Sequence, residues 1–335
     1  MKIKGPLLLL FTALLWGMAF VAQTQAADAV EPFTFNASRN FIGAAFLVGV
    51  IFVRIRLGHD AAPSKRAVPV AKGSTCADSA DTPGGSSAKA SGQLSGYSFR
   101  ALLVGGFLCG LVLCFSSFLQ QAGISSYPDD AAASGRSGFI TAIYMILVAL
   151  FSIFAGKKAH PIVFAAVAVA MLGMYLLCVP NGLDQVYWGD VLVLVCAFGY
   201  ALHIVVIDRF TYIDGVRLSL VQLLTAGAIS LVYALVFEHP DMAQIVAAAL
   251  PILYAGICSD GIAFTCQIVA QKTTDPTVAS ILMSLEAVFA ALGGWIILGE
   301  VLGPVELAGC VLVFAAVLMA QVPDFIENAR RKKQV

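Results

Sequence analysis

Five ionisable side chains stand inside stretches that are otherwise apolar: Arg39, Arg136, His203, Asp260 and Glu286. A charge held in hydrocarbon costs about 2.5 to 3.5 kcal/mol on insertion scales, so each one retained there is a candidate for function. Asp260 and Glu286 come first, as contacts to a cationic or zwitterionic substrate or as protonatable coupling groups. An internal ion pair, or a hydrogen bond to Ser, Thr or backbone, accounts for them equally well. Arg39 fits a substrate carboxylate or an acidic side chain, and it is also placed to snorkel to the nearby interface. Arg136 follows SYPDDAAASG closely enough to reach water. His203 reads as a packed polar residue or as a proton carrier, while His59, His160 and His239 fall in loops.

Uncharged polar residues at helical depth extend this set: Gln23, Gln120, Gln121, Tyr144, Tyr200, Gln222 and Gln267. A cavity needs donors and acceptors of this kind, and hydrogen bonds between helices use them equally well. Trp16 reads as a cavity wall or gate, or as ordinary packing. The expected pathway is thus Trp16, Gln23, Arg39, Gln121, Arg136, Tyr144, Tyr200, His203, Gln222, Asp260, Gln267 and Glu286. No catalytic group, metal ligand or cofactor is expected. Seven of the eight cysteines lie in apolar runs as small hydrophobes, only Cys76 is in a polar stretch, and there is no CxxC or Cys/His cluster.

The elements that must position these residues follow from composition. With 59% hydrophobic and 12% charged residues and a mean hydropathy of +0.88, the chain is too apolar for a water-soluble fold. Zero formal net charge leaves no footprint for nucleic acid. A helix crossing hydrocarbon needs about 20 apolar residues, and lipid leaves no other way to pair the backbone. An all-α integral membrane protein of ten spans is expected. The first five run from Pro6 to Gln25, Phe35 to Val53, Ala101 to Ile124, Ala131 to Ala155 and Ile162 to Val179. The second five run from Trp188 to Ile207, Leu218 to Phe237, Ile245 to Val269, Thr277 to Leu298 and Val305 to Val322.

Charge orients them. With Lys2 and Lys4 inside, every Lys and Arg except Arg39 and Arg136 falls on the cytoplasmic side, whereas the outer loops carry Asp28, Glu31, Asp129, Asp130, Asp184, Glu238, Asp241 and Glu300. Both termini are therefore expected in the cytoplasm of a multi-pass plasma membrane protein. The first apolar run, although preceded by MKIK and followed by QTQAADA, is read as a retained span rather than a cleaved leader. Residues 58–97, rich in Ser, Gly, Ala, Pro and Lys, are expected to form a disordered cytoplasmic linker. Gly106 and Gly110 have the GxxxG spacing of a close helix contact.

An internal repeat is also legible. TAIYMILVALFSIFAGKKAHP, ending at Pro161, aligns with SLEAVFAALGGWIILGEVLGP, ending at Pro304, with Gly156 over Gly299. Each helix ends at Gly, turns, and restarts at Pro. A weaker match sets Trp16-Gly17 over Phe198-Gly199. Five spans per copy is an odd number, so the second copy must be inverted, and the Lys157-Lys158 turn against Glu300 agrees with that. The expected units are residues 1–182, residues 183–323 and a basic tail, residues 324–335.

With LLWGMAF from Leu14 to Phe20, Arg39 followed by Asn-Phe, and LGEVLGP from Leu298 to Pro304, the sequence resembles the EamA-domain branch of the drug/metabolite transporter superfamily. The resemblance covers everything but the linker and tail, and Gly156-Lys157 stands where that family often has Gly-Glu. It implies a bundle with a central cavity lined by spans one to four and six to nine, exporting or exchanging amino-acid-like, metabolite or organic-cation compounds by alternating access. A homodimer is left open. No Walker A pattern is present, so ATP hydrolysis in this chain is not expected. The alternative is an intramembrane enzyme acting on a lipid or isoprenoid. Its catalytic groups would converge near one interface, whereas here the ionisable groups are single and scattered over five helices.

Overall fold

The computed structural model describes residues 4–58, 97–128, 132–154, 161–178, 187–299, 303–305, 307–309, 311–316, 318–319 and 322. The expected linker, the Lys157-Lys158 turn, Glu300 and the basic tail lie outside the described residues. Among the described residues the regular structure is all helix, with no strand.

The elements in order are α1 Lys4–Ala27, α2 Pro32–Arg56, α3 Phe99–Ile124, α4 Ala133–Ala142, α5 Tyr144–Phe154, α6 Pro161–Cys178, α7 Trp188–Phe210 and α8 Gly215–Phe237. They continue with the short α9 Met242–Ala247, α10 Ala249–Tyr254, a π-helical stretch Ala255–Ala263, α11 Phe264–Gln271, α12 Pro276–Met283, α13 Glu286–Gly293 and a second π-helical stretch Gly294–Leu298.

Eight described helices are long and apolar enough to cross a membrane, the last two being the composite spans Ala249–Gln271 and Pro276–Leu298. The expected fifth and tenth spans coincide with shorter apolar stretches, Phe164–Gly173 and Leu307–Ala316. The count of ten therefore stands at eight full-length candidates plus these two.

Lipid as solvent explains which faces are left outward. Along α3, Leu103, Phe107, Leu111 and Phe115 recur every fourth residue and are exposed. The opposite face buries Leu102, Gly105, Gly106, Cys109, Gly110 and Leu113. In water such a stripe would be a large apolar liability. In hydrocarbon it costs nothing, so what drives the helices together is close packing rather than exclusion from solvent.

Small residues let the backbones approach. A side-chain carbon on Gly106 would strike Val221, and one on Gly110 would come 2.5 Å from the Gln222 carbonyl, so the GxxxG pair seats α3 on α8. Gly123 and Gly189 face each other where α3 ends and α7 begins, which sets those helices antiparallel. Thr12 lies near the Ala263 carbonyl, while Gly5 meets Thr274, so α1 runs antiparallel to α11. Gly17 touches Phe289 and Gly293 touches Val21, so α1 runs parallel to α13.

The α2–α8 pair is tied at both ends. Asp214 caps α8 by accepting from the Arg217 amide at 3.1 Å, and it also takes two bonds from Arg54, at 3.1 and 3.0 Å. At the far end Glu238, following α8, accepts from the amides of Phe33 and Thr34 at 2.7 and 2.6 Å and from the Thr34 hydroxyl at 2.9 Å. A carboxylate on unpaired first-turn amides is the favoured partner of a helix N-terminus. Pro32 opens that helix where no amide is needed.

Three spans are not continuous α-helix. The fourth breaks at Ile143 between α4 and α5, and the ninth breaks at Ser284 and Leu285 between α12 and α13. Tight three-residue bonds close both breaks: the Ile143 amide to the Ile140 carbonyl at 3.2 Å, and the Ala287 amide to the Ser284 carbonyl at 3.1 Å. The eighth span widens into the π-helical turn from Ala255 to Ala263. Gly299 ends the ninth in the left-handed conformation, φ 74°, which glycine adopts without strain.

Candidate functional site

These irregular helices meet at one cavity. Its wall includes Trp16, Phe20 and Gln23 from α1, Arg39 from α2, Gln120 from α3 and Thr141 and Tyr144 from either side of the fourth-span break. From the second half come Tyr200 and His203 of α7, Ser259 of the π-helical turn, Phe264 and Gln267 of α11, and Glu286 immediately after the ninth-span break. A helix break frees local backbone and redirects the side chains beside it, and wide π turns recur at functional positions for the same reason.

Arg39 and Asp260 form the electrostatic centre. The guanidinium donates from Nε to Oδ2 at 3.0 Å and from Nη2 to Oδ1 at 2.8 Å, with Nη1 3.3 Å from Oε1 of Gln23. Both side chains are buried. A fork-to-fork pair of this kind is the strongest geometry available to the two groups. Gly43 makes it fit: a Cβ there would lie 3.0 Å from the Asp260 Cβ and 2.7 Å from the Gly256 carbonyl. The π turn supplies the other half, since Gly256 lets that backbone come against the Arg39 carbonyl.

Glu286 is different. It is 3% exposed, its Oε1 has no hydrogen-bond partner, and among the described residues it forms no ion pair. The Tyr144 hydroxyl stands beside it. Gln267 is 1% exposed, and neither its amide oxygen nor its amide nitrogen is bonded. Unsatisfied buried polar atoms are rare in folded proteins, so a cluster of them on one cavity wall asks for an occupant.

The rest of the wall is a hydrogen-bonded and aromatic frame. The Tyr200 hydroxyl donates to Oε1 of Gln120 at 3.2 Å, and Nε2 of Gln120 donates to the Thr141 hydroxyl at 3.1 Å. Trp16 packs edge-on against Phe264, centroids 5.0 Å apart, and its indole nitrogen is 3.4 Å from the Ser259 carbonyl. His203 stacks edge-on against the same Phe264 ring at 5.6 Å and shares a 3.2 Å bond with Oε1 of Gln222.

Of the twelve expected residues, eight line this cavity: Trp16, Gln23, Arg39, Tyr144, Tyr200, His203, Gln267 and Glu286. Asp260 stands behind Arg39, and Gln222 behind His203. Gln121 instead bonds the Gln23 carbonyl at 3.2 Å and braces α3 on α1. Arg136 stands at the start of α4, paired with Asp190 through two 2.6 Å bonds, with the Tyr127 hydroxyl on the same carboxylate at 2.8 Å and the Tyr187 ring 4.8 Å from the guanidinium. Sequence reading did not single out Thr141 or Ser259. A hydroxyl within a helix usually bonds its own preceding turn, so neither carries a signal. Asp190, two residues into α7, was not singled out either.

Known proteins share this architecture. Residues 187–321 match the EamA-like transporter family. The chain is 24% identical over 327 residues to an uncharacterized transporter of Archaeoglobus fulgidus, covering 96% of this chain and 87% of that one. It is 21% identical over 323 residues to the uncharacterized transporter YoaV of Bacillus subtilis, covering 95% and 96%. A shorter similarity, 24% over 188 residues, covers 56% of this chain and 61% of the uncharacterized inner membrane transporter YedA of Escherichia coli K12. A solved crystal structure superposes with a TM-score of 0.69 at 19% identity, covering 95% of this chain and 98% of that one, so the fold is shared. The molecule is a multi-pass membrane protein whose second half is similar to the EamA-like transporter family, the family that the sequence resembles.

Proposed function

We propose that this chain is a secondary-active transporter, an exporter or exchanger of small amino-acid-like or organic-cation compounds, working by alternating access between two inverted five-helix repeats. The cavity carries the reading: an aromatic-walled chamber with a few polar groups, drawn from both halves of the chain and flanked by two helices broken at matching places. The alignment that sets Gly156 over Gly299 sets Ile143 over Glu286, and each helix breaks within two residues of that position. Discontinuous helices at corresponding points of two halves are the feature expected around a midplane site.

Helix pairing supports the inversion. If spans one to five are exchanged with six to ten, the antiparallel contact of α1 with α11 becomes that of α7 with α3, and both are present. The parallel contact of α1 with α13 becomes that of α7 with α4, where Arg136 reaches Asp190 near the start of each helix. The α2–α8 contact maps onto itself, and so does that of the two shorter apolar helices, where Gly173 meets the Gly309 carbonyl. A site between such halves is exposed to either side by rocking one copy against the other.

In this reading both termini are cytoplasmic, and the Arg136–Asp190–Tyr127 cluster closes the outer end of the fourth and sixth spans. Counterflow in proteoliposomes containing the purified full chain, with amino acids, nucleobases and organic cations, is the test. Saturable exchange of at least one class is the expected result. Absence of any exchange by folded protein, with turnover of a lipid substrate, overturns the reading in favour of an intramembrane enzyme.

A further inference from the structure

We infer that the cavity takes an organic monocation with a compact aromatic or apolar body, that Glu286 is its counter-charge, and that zwitterions and anions are poor ligands. The inference rests on the transport reading for its setting, but it concerns binding and narrows the substrate class. Two carboxylate or guanidinium groups line the chamber, Arg39 and Glu286, and a third, Asp260, stands behind Arg39. Arg39 is already used. Its Nε and Nη2 donate to Asp260 and its Nη1 faces Gln23, so a substrate carboxylate could reach the guanidinium only by displacing Asp260. Asp260 is fully buried, and stripping it of its partner would leave an uncompensated charge in the bundle. The exchange trades one carboxylate for another and gains nothing.

Glu286 is the carboxylate left over, nine-tenths or more buried, with Oε1 unbonded on the cavity wall. Around it the chamber offers the faces and edges of Trp16, Phe20, Tyr144, Tyr200 and Phe264. Aromatic rings hold a desolvated cation through their quadrupole and hold an apolar body by contact. Of the three charge types, a cation alone pairs with the carboxylate form of Glu286; an anion or a neutral molecule does not. Gln267, with both amide atoms unbonded, adds one neutral donor and one neutral acceptor on the same wall. These groups pair with an ammonium and a modest polar substituent, while on the described wall Arg39 is held by Asp260 and His203 by Gln222.

The test uses four probes that share a phenylethyl body and differ in charge: phenethylamine, phenylalanine, 3-phenylpropionate and 2-phenylethanol. Binding to the detergent-purified full chain is measured by calorimetry. The amine is expected to bind at least about tenfold more tightly than the other three, the size of one desolvated cation–aromatic and charge contact. Glu286→Gln is expected to abolish that preference, and Glu286→Asp to keep most of it, with melting temperature reporting that each variant is folded.

Equal or tighter binding of phenylalanine or phenylpropionate, binding of none of the four, or an unchanged preference in a folded Glu286→Gln protein overturns the inference. Should Glu286→Gln not fold, the ranking on the unmodified protein decides alone. Cation preference without counterflow would leave the site standing and remove the transport reading. Counterflow of a zwitterion without cation preference would do the reverse.

Discussion

Arg39 and Asp260, 221 residues apart in the chain, meet through two hydrogen bonds in the buried wall of the cavity and join α2 to the π-helical turn of the eighth span. Each charge is tolerable there only because of the other. Removing either one is expected to be costly, and removing both much less so, because a buried pair replaced by packed apolar groups is often neutral. Arg39→Met or Asp260→Leu alone should cost about 3 to 5 kcal/mol, and the double variant should recover most of that, as read by thermal unfolding of the purified protein. Single variants as stable as the parent would show that the two charges are not mutually dependent.

Gly17 sets the depth of Glu286. A Cβ at this position would collide with Phe289 and lie 2.7 Å from the Glu286 carbonyl, both fixed in α13. Gly17→Ala is therefore expected to destabilise by about 1 to 3 kcal/mol through overpacking and to displace Glu286. Gly49→Ala, where nothing lies within 4 Å, should be neutral or slightly stabilising, since Ala is the better helix former. Unfolding and counterflow measured on both variants separate crowding from a general intolerance of side chains in these helices.

The Glu238 carboxylate closes the N-terminus of α2 across the bundle. Glu238→Ala strands two first-turn amides and should lower stability by about 1 kcal/mol, with Glu238→Gln recovering part of it. Faster amide hydrogen exchange confined to the first turn of α2 is the local signature. Unaltered exchange there would count against a capping role.

Asp214 gives a pH dependence whose sign is fixed by its partners. Burial works against its carboxylate, but bonds from Arg54 and the Arg217 amide, with the charges of Arg54 and Lys272, hold it below the usual carboxylate range. A depressed carboxyl stabilises the fold above its unfolded value, about 3.9, and that stabilisation is lost as pH falls through the lower folded value. The melting-temperature difference between the parent and Asp214→Asn should thus be full near neutrality and shrink below about pH 4. A difference that grows on acidification would contradict the assignment.

How much of this was legible in the sequence follows from what each signal encodes. Runs of about 20 apolar residues declare spans because hydrocarbon leaves the backbone no alternative. Their interruption is another matter. The breaks at Ile143 and at Ser284-Leu285 contain no Pro or Gly, and the π turn around Asp260 follows no composition rule, so apolar runs hide all three.

Among the polar residues, type and depth marked Arg39, Asp260 and Glu286 as unusual. An internal ion pair was one of the readings open for Asp260, and an acidic partner was one of those open for Arg39. That Asp260 is the paired carboxylate and Glu286 the unpaired one depends on a contact 221 residues long, which spacing does not record. Arg136 reaches Asp190 for a similarly tertiary reason, α4 and α7 starting side by side.

The central claim is that the chamber between the two halves opens in turn to each side of the membrane. Ala19, buried and on the cavity wall, is replaced by cysteine, one heavy atom larger, in a chain whose eight native cysteines have been removed. A membrane-impermeant thiol reagent is then applied to oriented vesicles from one face or the other. Alternating access predicts labelling of Ala19→Cys from both faces, slowed on both by a transported ligand. Labelling from one face alone under every gradient imposed would contradict it.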